Sequence, residues 1–379
     1  MIAAGAVLVH LLIYWRVLRQ LPASARMRRI GAVVLVLMTV VLSSRSLLRE
    51  APLAIWRTYE VVAYGWMAVA ICIAVAVVVG DLVRLAISAR DRWRRAPAES
   101  VDVERREFVT RTLPWGVVAG GGILAGYGTM RAFTAPEITE VVLPIAKLPR
   151  TLEGLSIVHL TDVHVGPFVG RRFIDMLVDE TNALRPDLVV ITGDLVDGGV
   201  DELGRAVAGL GNLQSRYGTF FVTGNHDFYS GADDWTRFLA SIGMNVLRNR
   251  RVEIGDVGGT LDLVGVDDWG ARKRGGYDLE RALAGRDPDR ASVLLAHQPA
   301  NFDAVVAQGV DLQISGHTHG GQIFPMTELV GLRFEHTRGL YRSGDTALYV
   351  SRGCGFWGPP ARIGSPPELV QYVLTTKSS

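Results

Sequence analysis

The stretch 316–322 carries two histidines, His317 and His319, which are separated by a single residue and framed by glycines. It follows the apolar run 310–314, and this order predicts a buried strand that ends in a tight loop. Neutral imidazole is the commonest metal-binding side chain, so a histidine pair at a strand end is a candidate metal site. The alternative is a polar loop with two exposed histidines, and the pair alone does not decide between them.

Other polar side chains follow four further apolar runs, each at the point where the predicted strand ends. They are Asp162 and His164, then Asp194, then Asn225 with His226 and Asp227, and then His297. Taken singly, each motif is more typical of a turn or a helix cap than of a ligand. Strands and helices alternate through this part of the chain, which indicates an α/β layered architecture. Because ligands bind at the carboxyl ends of strands in such sheets, we expect the five strand ends to converge on one crevice.

In order and spacing, these motifs resemble those of the calcineurin-like metallophosphoesterase superfamily. The matching residues are Asp162-x-His164, Gly193-Asp194, Gly224-Asn225-His226-Asp227, His297 and Gly316-His317-Thr318-His319. The resemblance covers about residues 143–374, and the stretches 320–322 and 364–368 are similar to a membrane-associated bacterial branch. It implies a four-layer αββα sandwich and a hydrolase for phosphate esters. That branch includes phosphodiesterases and UDP-2,3-diacylglucosamine hydrolases.

The resemblance implies two divalent metal ions. One would be bound by Asp162, His164 and His319, the other by Asn225, His297 and His317, with Asp194 shared between them. Oxygen and imidazole donors without a thiolate favour Mn, Fe or Zn. One shared carboxylate would keep the two ions about 3.5–4 Å apart, the separation for an in-line phosphoryl displacement.

The resemblance also assigns a catalytic role to His226, which would not bind metal, and a neighbouring carboxylate would support that role. His226 would protonate the departing oxygen, and Asp227 would orient the His226 ring. The alternative for His226 is a contact between its protonated ring and the substrate phosphate. Two weaker candidates are Trp269, at the mouth of the crevice or in a surface turn, and Arg362, as a bidentate phosphate ligand.

The mean hydropathy of +0.22 has a local source, because apolar residues crowd the first third of the chain. Four apolar segments lie at about residues 2–19, 30–48, 61–83 and 113–130. Only the third is uninterrupted and long enough to cross a bilayer, which takes roughly 20 residues. Each of the others could be a buried core helix, but together they predict a transmembrane region over residues 1–135. A metallophosphoesterase domain, 137–379, would follow it.

Arginines are concentrated in the first and third connections between these segments. The positive-inside rule then places both connections in the cytoplasm and the catalytic domain outside it, in a multi-pass plasma-membrane protein. An odd number of spans would reverse this orientation. The pair Arg105-Arg106 before the fourth segment resembles a twin-arginine export signal, although two arginines also fall together by chance. No cleavage site is evident, so we expect an anchored enzyme.

Charge and cysteine content narrow the function further. The 40 basic and 38 acidic residues nearly cancel, so no nucleic-acid partner is expected, and two cysteines exclude a disulfide framework. The resulting prediction is a phosphodiesterase that hydrolyses a phosphate ester or pyrophosphate of a lipid-linked or cell-envelope compound. The alternatives are a phosphomonoesterase or nucleotidase for soluble substrates, and a catalytically silent membrane sensor.

Overall fold

The computed structural model describes residues 2–48, 51–93 and 112–377, and the chain divides into two units. One comprises Met1–Met130 with Gly358–Ala361, and the other comprises Arg131–Trp357 with Arg362–Ser379. The predicted export signal at Arg105 and Arg106 lies outside the described residues. Each unit is described by itself below.

The described part of the first unit is helical. Its helices are α1 (Ile2–Ile13, continued by a π-helical turn, Tyr14–Leu18), α2 (Ala25–Ser43), α3 (Leu53–Trp93) and α4 (Leu113–Phe133). Among the described residues, two helices are long and apolar enough to cross a membrane, Ala25–Ser46 and Ala54–Arg90. The predicted segments 30–48 and 61–83 correspond to these two helices, whereas the other two segments remain predicted spans.

Helix α3 is much longer than the predicted segment 61–83. It begins directly after Pro52, a residue that favours helix starts, and extends beyond the apolar run because Ala, Leu and Arg are strong helix formers. Within this unit, the Trp66 indole Nε1 donates to His10 Nε2 at 2.8 Å, and the Arg16 Nε donates to Asp81 Oδ2 at 2.8 Å. These polar contacts tie α1 and its π-helical extension to α3.

The second unit contains two six-stranded sheets in its described part. The first has the order β1-β12-β2-β3-β4-β5 and the second β10-β11-β9-β8-β7-β6. The strands of the first sheet are β1 (Glu137–Ile145), β2 (Leu155–Leu160), β3 (Leu188–Ile191), β4 (Thr219–Phe221), β5 (Asn245–Val246) and β12 (Glu368–Thr376). Those of the second are β6 (Arg250–Asp256), β7 (Gly259–Gly265), β8 (Ser292–Leu295), β9 (Leu312–Ser315), β10 (Gly339–Ser343) and β11 (Thr346–Val350).

Seven α-helices accompany these sheets in the described residues of the second unit. They are α5 (Arg171–Ala183), α6 (Val200–Val207), α7 (Asn225–Tyr229), α8 (Ala232–Ser241), α9 (Leu279–Leu283), α10 (Phe302–Ala307) and α11 (Met326–Leu329). The strands β2 to β5 run parallel, as do β7, β8, β9 and β11.

Alternate residues of each strand face opposite sides and bury two different layers. Ile157 of β2 packs between the sheets, whereas its neighbour Val158 packs against α5, α6 and α8. In the second sheet, Val293 faces the first sheet and Leu294 packs against α9 and α10. The resulting order is helices, sheet, sheet, helices, so the prediction of a mixed α/β fold is confirmed.

The register of the parallel strands brings the predicted site residues to one edge. Leu160 at the end of β2 pairs with Ile191 of β3, which pairs with Phe221 of β4. In the second sheet, Leu295 of β8 pairs with Ile314 of β9. Neighbouring strands therefore end level with one another, and the loops that carry the polar side chains start side by side.

Candidate metal centre

Five of the predicted ligands have a left-handed backbone. Their φ angles are 54° at Asp162, 53° at His164, 48° at Asp194, 75° at His317 and 51° at His319. This conformation costs an L-residue about 1–2 kcal/mol, and Asp and His are among the side chains that adopt it most often. Strain of this kind collects at functional sites, where the surrounding structure holds it in place.

Two glycines of the sequence motifs are needed because the strand ends approach one another closely. A Cβ atom on Gly224 would lie 2.3 Å from the Asp194 Oδ1, and one on Gly316 would lie 2.2 Å from the Asp162 Oδ2. No side chain fits at either position without moving a carboxylate. The glycines around the predicted ligands thus serve the packing of the site.

The first group of candidate ligands consists of Asp162, His164 and His319, whose donor atoms lie within 4.8 Å of one another. His319 Nε2 is 3.3 Å from Asp162 Oδ1 and 3.2 Å from His164 Nε2. All three side chains are buried. The Asp162 carboxylate also accepts hydrogen bonds from the His317 backbone N–H at 2.9 and 3.1 Å, which ties the first strand end to the last.

The second group consists of Asp194, His297 and His317. His297 Nε2 lies 3.2 Å from Asp194 Oδ2 and 3.1 Å from His317 Nδ1. The other ring nitrogen of His297 is 2.8 Å from the Thr192 carbonyl and donates to it, which leaves the Nε2 lone pair directed into the site. Asp194 also clusters with His164 and His226, so it belongs to both sides of the centre.

Burial and mutual charge set the protonation of these groups. Burial, reinforced by the charge of His297, lowers the pKa of His317 to about 3, and burial together with Arg362 holds the pKa of His319 well below its usual value. Burial would also lower the pKa of His297, but the Asp194 carboxylate overcomes this and raises it to about 10. His317 and His319 are therefore neutral, the form that binds a metal ion, whereas His297 is protonated beside Asp194 and would release this proton on binding a cation.

The residues present fit divalent cations. Imidazole nitrogens face each other across 3.1–3.2 Å in both groups, where a shared cation would satisfy both lone pairs. Asn225 Oδ1 is buried without a hydrogen-bond partner in the described structure, and an orphaned acceptor of this kind calls for a ligand. Asn225 therefore presents an unpaired oxygen donor, and its ligation of a metal ion stays a prediction.

His226 is oriented by Asp197 and not by Asp227, so that part of the prediction is wrong. His226 Nδ1 lies 2.5 Å from Asp197 Oδ1, whereas the Asp227 carboxylate accepts the backbone N–H groups of Gly224 and Leu195 at 2.7 and 3.0 Å. Successive residues of a helix project in different directions, so Asp227 cannot follow the His226 ring. Burial, strengthened by the charge of Asp194, raises the pKa of Asp227 to about 7.

Asp197 is a site residue that the sequence reasoning missed. Its carboxylate is 3.2 Å from His164 Nδ1 as well as 2.5 Å from His226 Nδ1. Burial would raise the pKa of Asp197, but the two histidines hold it below its ordinary value. The residue lies beyond the strand end, in a loop that a bridge between Val165 and Val196 fixes beside the loop after β2. A second carboxylate three residues after Asp194 was the only available signal.

Arg362 does not lie where the phosphate-binding prediction requires. Its side chain is 1% exposed and donates to the Gly355 carbonyl at 2.9 Å and the His319 carbonyl at 3.1 Å. The guanidinium also lies 3.1 Å from His319 Nδ1. Protein acceptors occupy the guanidinium, so the prediction of a substrate contact is wrong, and Arg362 instead holds the His319 loop in position.

Trp269 lines a cavity of about 640 Å³ together with Asn225 and His317. Its assignment as a substrate contact stays a prediction. Across the site, the Trp357 ring is 43% exposed and 5.6 Å from the His226 ring. The Gln322 side chain bonds both the N–H and the carbonyl of Trp357, each at 3.0 Å, and so connects the loop after His319 to the aromatic loop.

Comparison with known proteins identifies the family. The model of the calcineurin-like phosphoesterases matches residues 155–321. A metallophosphoesterase of Helicobacter pylori strain J99 is 39% identical over 262 residues, which are 67% of this chain and 69% of that protein. The chain belongs to the calcineurin-like phosphoesterase family. This family agrees with the sequence prediction of a metal-dependent phosphoric ester hydrolase, an activity that is proposed for the chain below.

Relatives of this phosphoesterase occur in animals as well as bacteria. A "transmembrane protein with metallophosphoesterase domain" of Bos taurus is 42% identical over 266 residues. The alignment covers 66% of this chain and 60% of the length of the bovine protein. Among solved structures, the NAD nucleotidase of Haemophilus influenzae aligns with a TM-score of 0.37 and 15% identity, over 53% of this chain and 50% of that one.

Proposed function

We propose that this phosphoesterase is a membrane-anchored phosphodiesterase with a centre of two divalent ions (Mn, Fe or Zn). The observation that carries the proposal is the pair of ligand groups that meet at Asp194, with His164 and His319 on one side and His297 and His317 on the other. A shared carboxylate is the feature that holds two cations close enough to act on one phosphoryl group. The orphaned Asn225 Oδ1 would supply the remaining oxygen donor.

When bound, the two cations would activate water for attack at phosphorus and neutralise charge on the phosphate oxygens. The protein residues then act on the leaving group. Asp197 holds His226 through Nδ1, which leaves Nε2 as the atom that can face the substrate. Protonated His226 donates its Nε2 proton to the departing oxygen as the P–O bond breaks, and Asp197 stabilises the imidazolium beforehand.

A lipid-linked or cell-envelope phosphate or pyrophosphate is the substrate class that we favour. The segment between Gln322 and Phe334 exposes several large apolar side chains. They are Phe324, Met326, Leu329 and Leu332, of which Leu332 is 86% exposed. Exposed apolar side chains in a segment that begins soon after His319 would suit an amphiphilic substrate.

The membrane arrangement is also a proposal. Four spans within residues 1–135 would anchor the domain 137–379 on the outer face of the plasma membrane, as in a membrane-associated bacterial branch of the family. Two long apolar helices and the transmembrane relative support an anchor. Labelling of an Asp345→Cys variant with a membrane-impermeant maleimide on intact cells would test the orientation. Labelling only after lysis would contradict it.

The function itself is tested with the full-length protein in detergent micelles with Mn²⁺. We expect faster hydrolysis of bis(4-nitrophenyl) phosphate, a diester, than of 4-nitrophenyl phosphate, a monoester. A preference for the monoester would favour a monoesterase or nucleotidase. Bound metal without hydrolysis of either ester would favour the sensor.

A further inference from the structure

The second ligand group lies beside a cavity that is larger than a phosphate group requires. The cavity of about 640 Å³ is lined by Asn225 and His317 of the site, and by Trp269, Arg272, Arg333 and Phe334. Its size falls within the range of about 300–1,000 Å³ that is usual for small-molecule sites. The part of a substrate that extends beyond the scissile phosphate would therefore lie here.

Two arginines of this cavity are each held over an aromatic ring. The guanidinium carbon of Arg272 is 4.4 Å from the centre of the Trp269 ring, and that of Arg333 is 5.3 Å from the Phe334 ring. Phe334 in turn lies edge-on to the His317 ring at 5.3 Å. Stacking fixes the plane of a guanidinium and leaves its N–H groups at the edge free to bind an anion.

Neither arginine has a carboxylate partner among the residues that the structure describes. Asp303 and Glu335 line the same cavity, yet no ion pair joins either of them to Arg272 or Arg333 within the described ranges. By contrast, Arg248 in the same unit contacts two carboxylates, those of Asp233 and Asp267. The side chain of Arg272 makes one polar contact in this part of the chain, from Nη1 to the Trp269 carbonyl at 3.1 Å.

We propose that Arg272 and Arg333 form a second anion subsite, which binds a phosphoryl group next to the scissile one. This inference rests on the proposed function, because it assumes that the metal centre holds the scissile phosphate. It narrows the substrate class to diphosphate-bridged compounds, in which two charged phosphoryl groups are adjacent. Guanidinium groups suit this task since they bind phosphate oxygens through paired N–H donors.

Binding of two non-hydrolysable phosphonates tests the subsite without turnover. Calorimetry on the full-length protein in detergent micelles, loaded with Mn²⁺, would compare methylenediphosphonate with methylphosphonate. We expect the diphosphonate to bind at least about tenfold more tightly, and Arg272→Gln or Arg333→Gln to reduce this preference by roughly tenfold each. Arg342→Gln, an exposed arginine on β10 outside the cavity, is the matched control and should keep the preference.

The outcomes separate the subsite from the proposed function. An unchanged preference in both cavity variants, or an equal loss in Arg342→Gln, would overturn the subsite. Any chelation of Mn²⁺ by the diphosphonate is the same in every variant, so it does not affect the comparison between them. Hydrolysis of bis(4-nitrophenyl) phosphate is measured on the same preparations. A wild-type protein that shows the expected preference but hydrolyses no ester would refute the function and leave the subsite standing.

Discussion

The two ligand groups of the centre differ in how they are enclosed. The group of Asp162, His164 and His319 is buried and is held from behind by Asp197 and Arg362. The group that contains His297 and His317 is held by a backbone carbonyl and opens onto a cavity with aromatic and basic walls. Under the proposed function, the enclosed side would bind a cation and the open side would receive the substrate.

This difference suggests that one centre separates metal binding from substrate binding. Side chains on the enclosed side should control metal content and turnover, and side chains on the open side should control substrate affinity. Asp194 belongs to both groups, so its loss should affect metal content, turnover and substrate affinity together. The variants below test this division, in order of decreasing effect.

Asp194→Asn should impair both ligand groups, because Asp194 belongs to both of them. The amide cannot supply a negative bridge to two cations, so we expect hydrolysis of the diester to fall by about 10³-fold or more and one metal ion to be lost. Diester hydrolysis and metal content, measured on one preparation, test both expectations. Normal metal content with low activity would mean that Asp194 is not shared.

His226→Gln should lower turnover without removing metal. Glutamine cannot donate a proton to the leaving oxygen, and we expect kcat to fall by about 10²-fold while metal content stays near normal. Asp197→Asn should reproduce part of this loss, because Asp197 contacts His226 Nδ1. An equal loss of metal in His226→Gln would show that His226 is itself a ligand.

Arg362→Met should weaken the enclosed side selectively. Loss of the bonds to His319 frees a metal-binding loop, and partners of this kind are worth about 10–100-fold in metal affinity. Titration with Mn²⁺ should show one site weakened and the other retained, with a lower melting temperature that excess Mn²⁺ partly restores. Equal weakening of both sites would contradict the division.

Trp269→Ala should act on the open side alone. Loss of the ring removes a wall of the cavity and should raise KM for a diester by roughly 3–10-fold, the value of one aromatic contact. Metal content should not change. Trp357→Ala is the variant to compare with Trp269→Ala, since the Trp357 ring contacts His226 and does not line the cavity.

The sequence predicted the strand ends well because local signals mark them. An apolar run followed by Asp, His or Gly indicates both a strand and the polar residues at its end. The parallel register then aligns Asp162 with Asp194 and Asn225. The glycines at 224 and 316 were visible as a motif, but the close approach that requires them was not.

The errors at Arg362 and Asp197 share one cause, which is that contacts between distant segments leave no local signal. Arg362 reaches His319 across 43 residues, and Asp197 reaches His226 across 29, so neither pairing follows from spacing. Asp227 was misassigned because sequence neighbours do not face each other on a helix. The unpaired state of Arg272 and Arg333 likewise depends on which carboxylates the fold brings near.

The most direct test of the shared centre is electron paramagnetic resonance of the full-length protein loaded with Mn²⁺, together with its metal content. We expect two ions per chain and the spectrum of an exchange-coupled pair, since one carboxylate would hold the ions about 3.5–4 Å apart. In Asp194→Asn the coupling should disappear. One ion per chain with the spectrum of an isolated Mn²⁺ in the wild-type protein would contradict a shared two-metal centre.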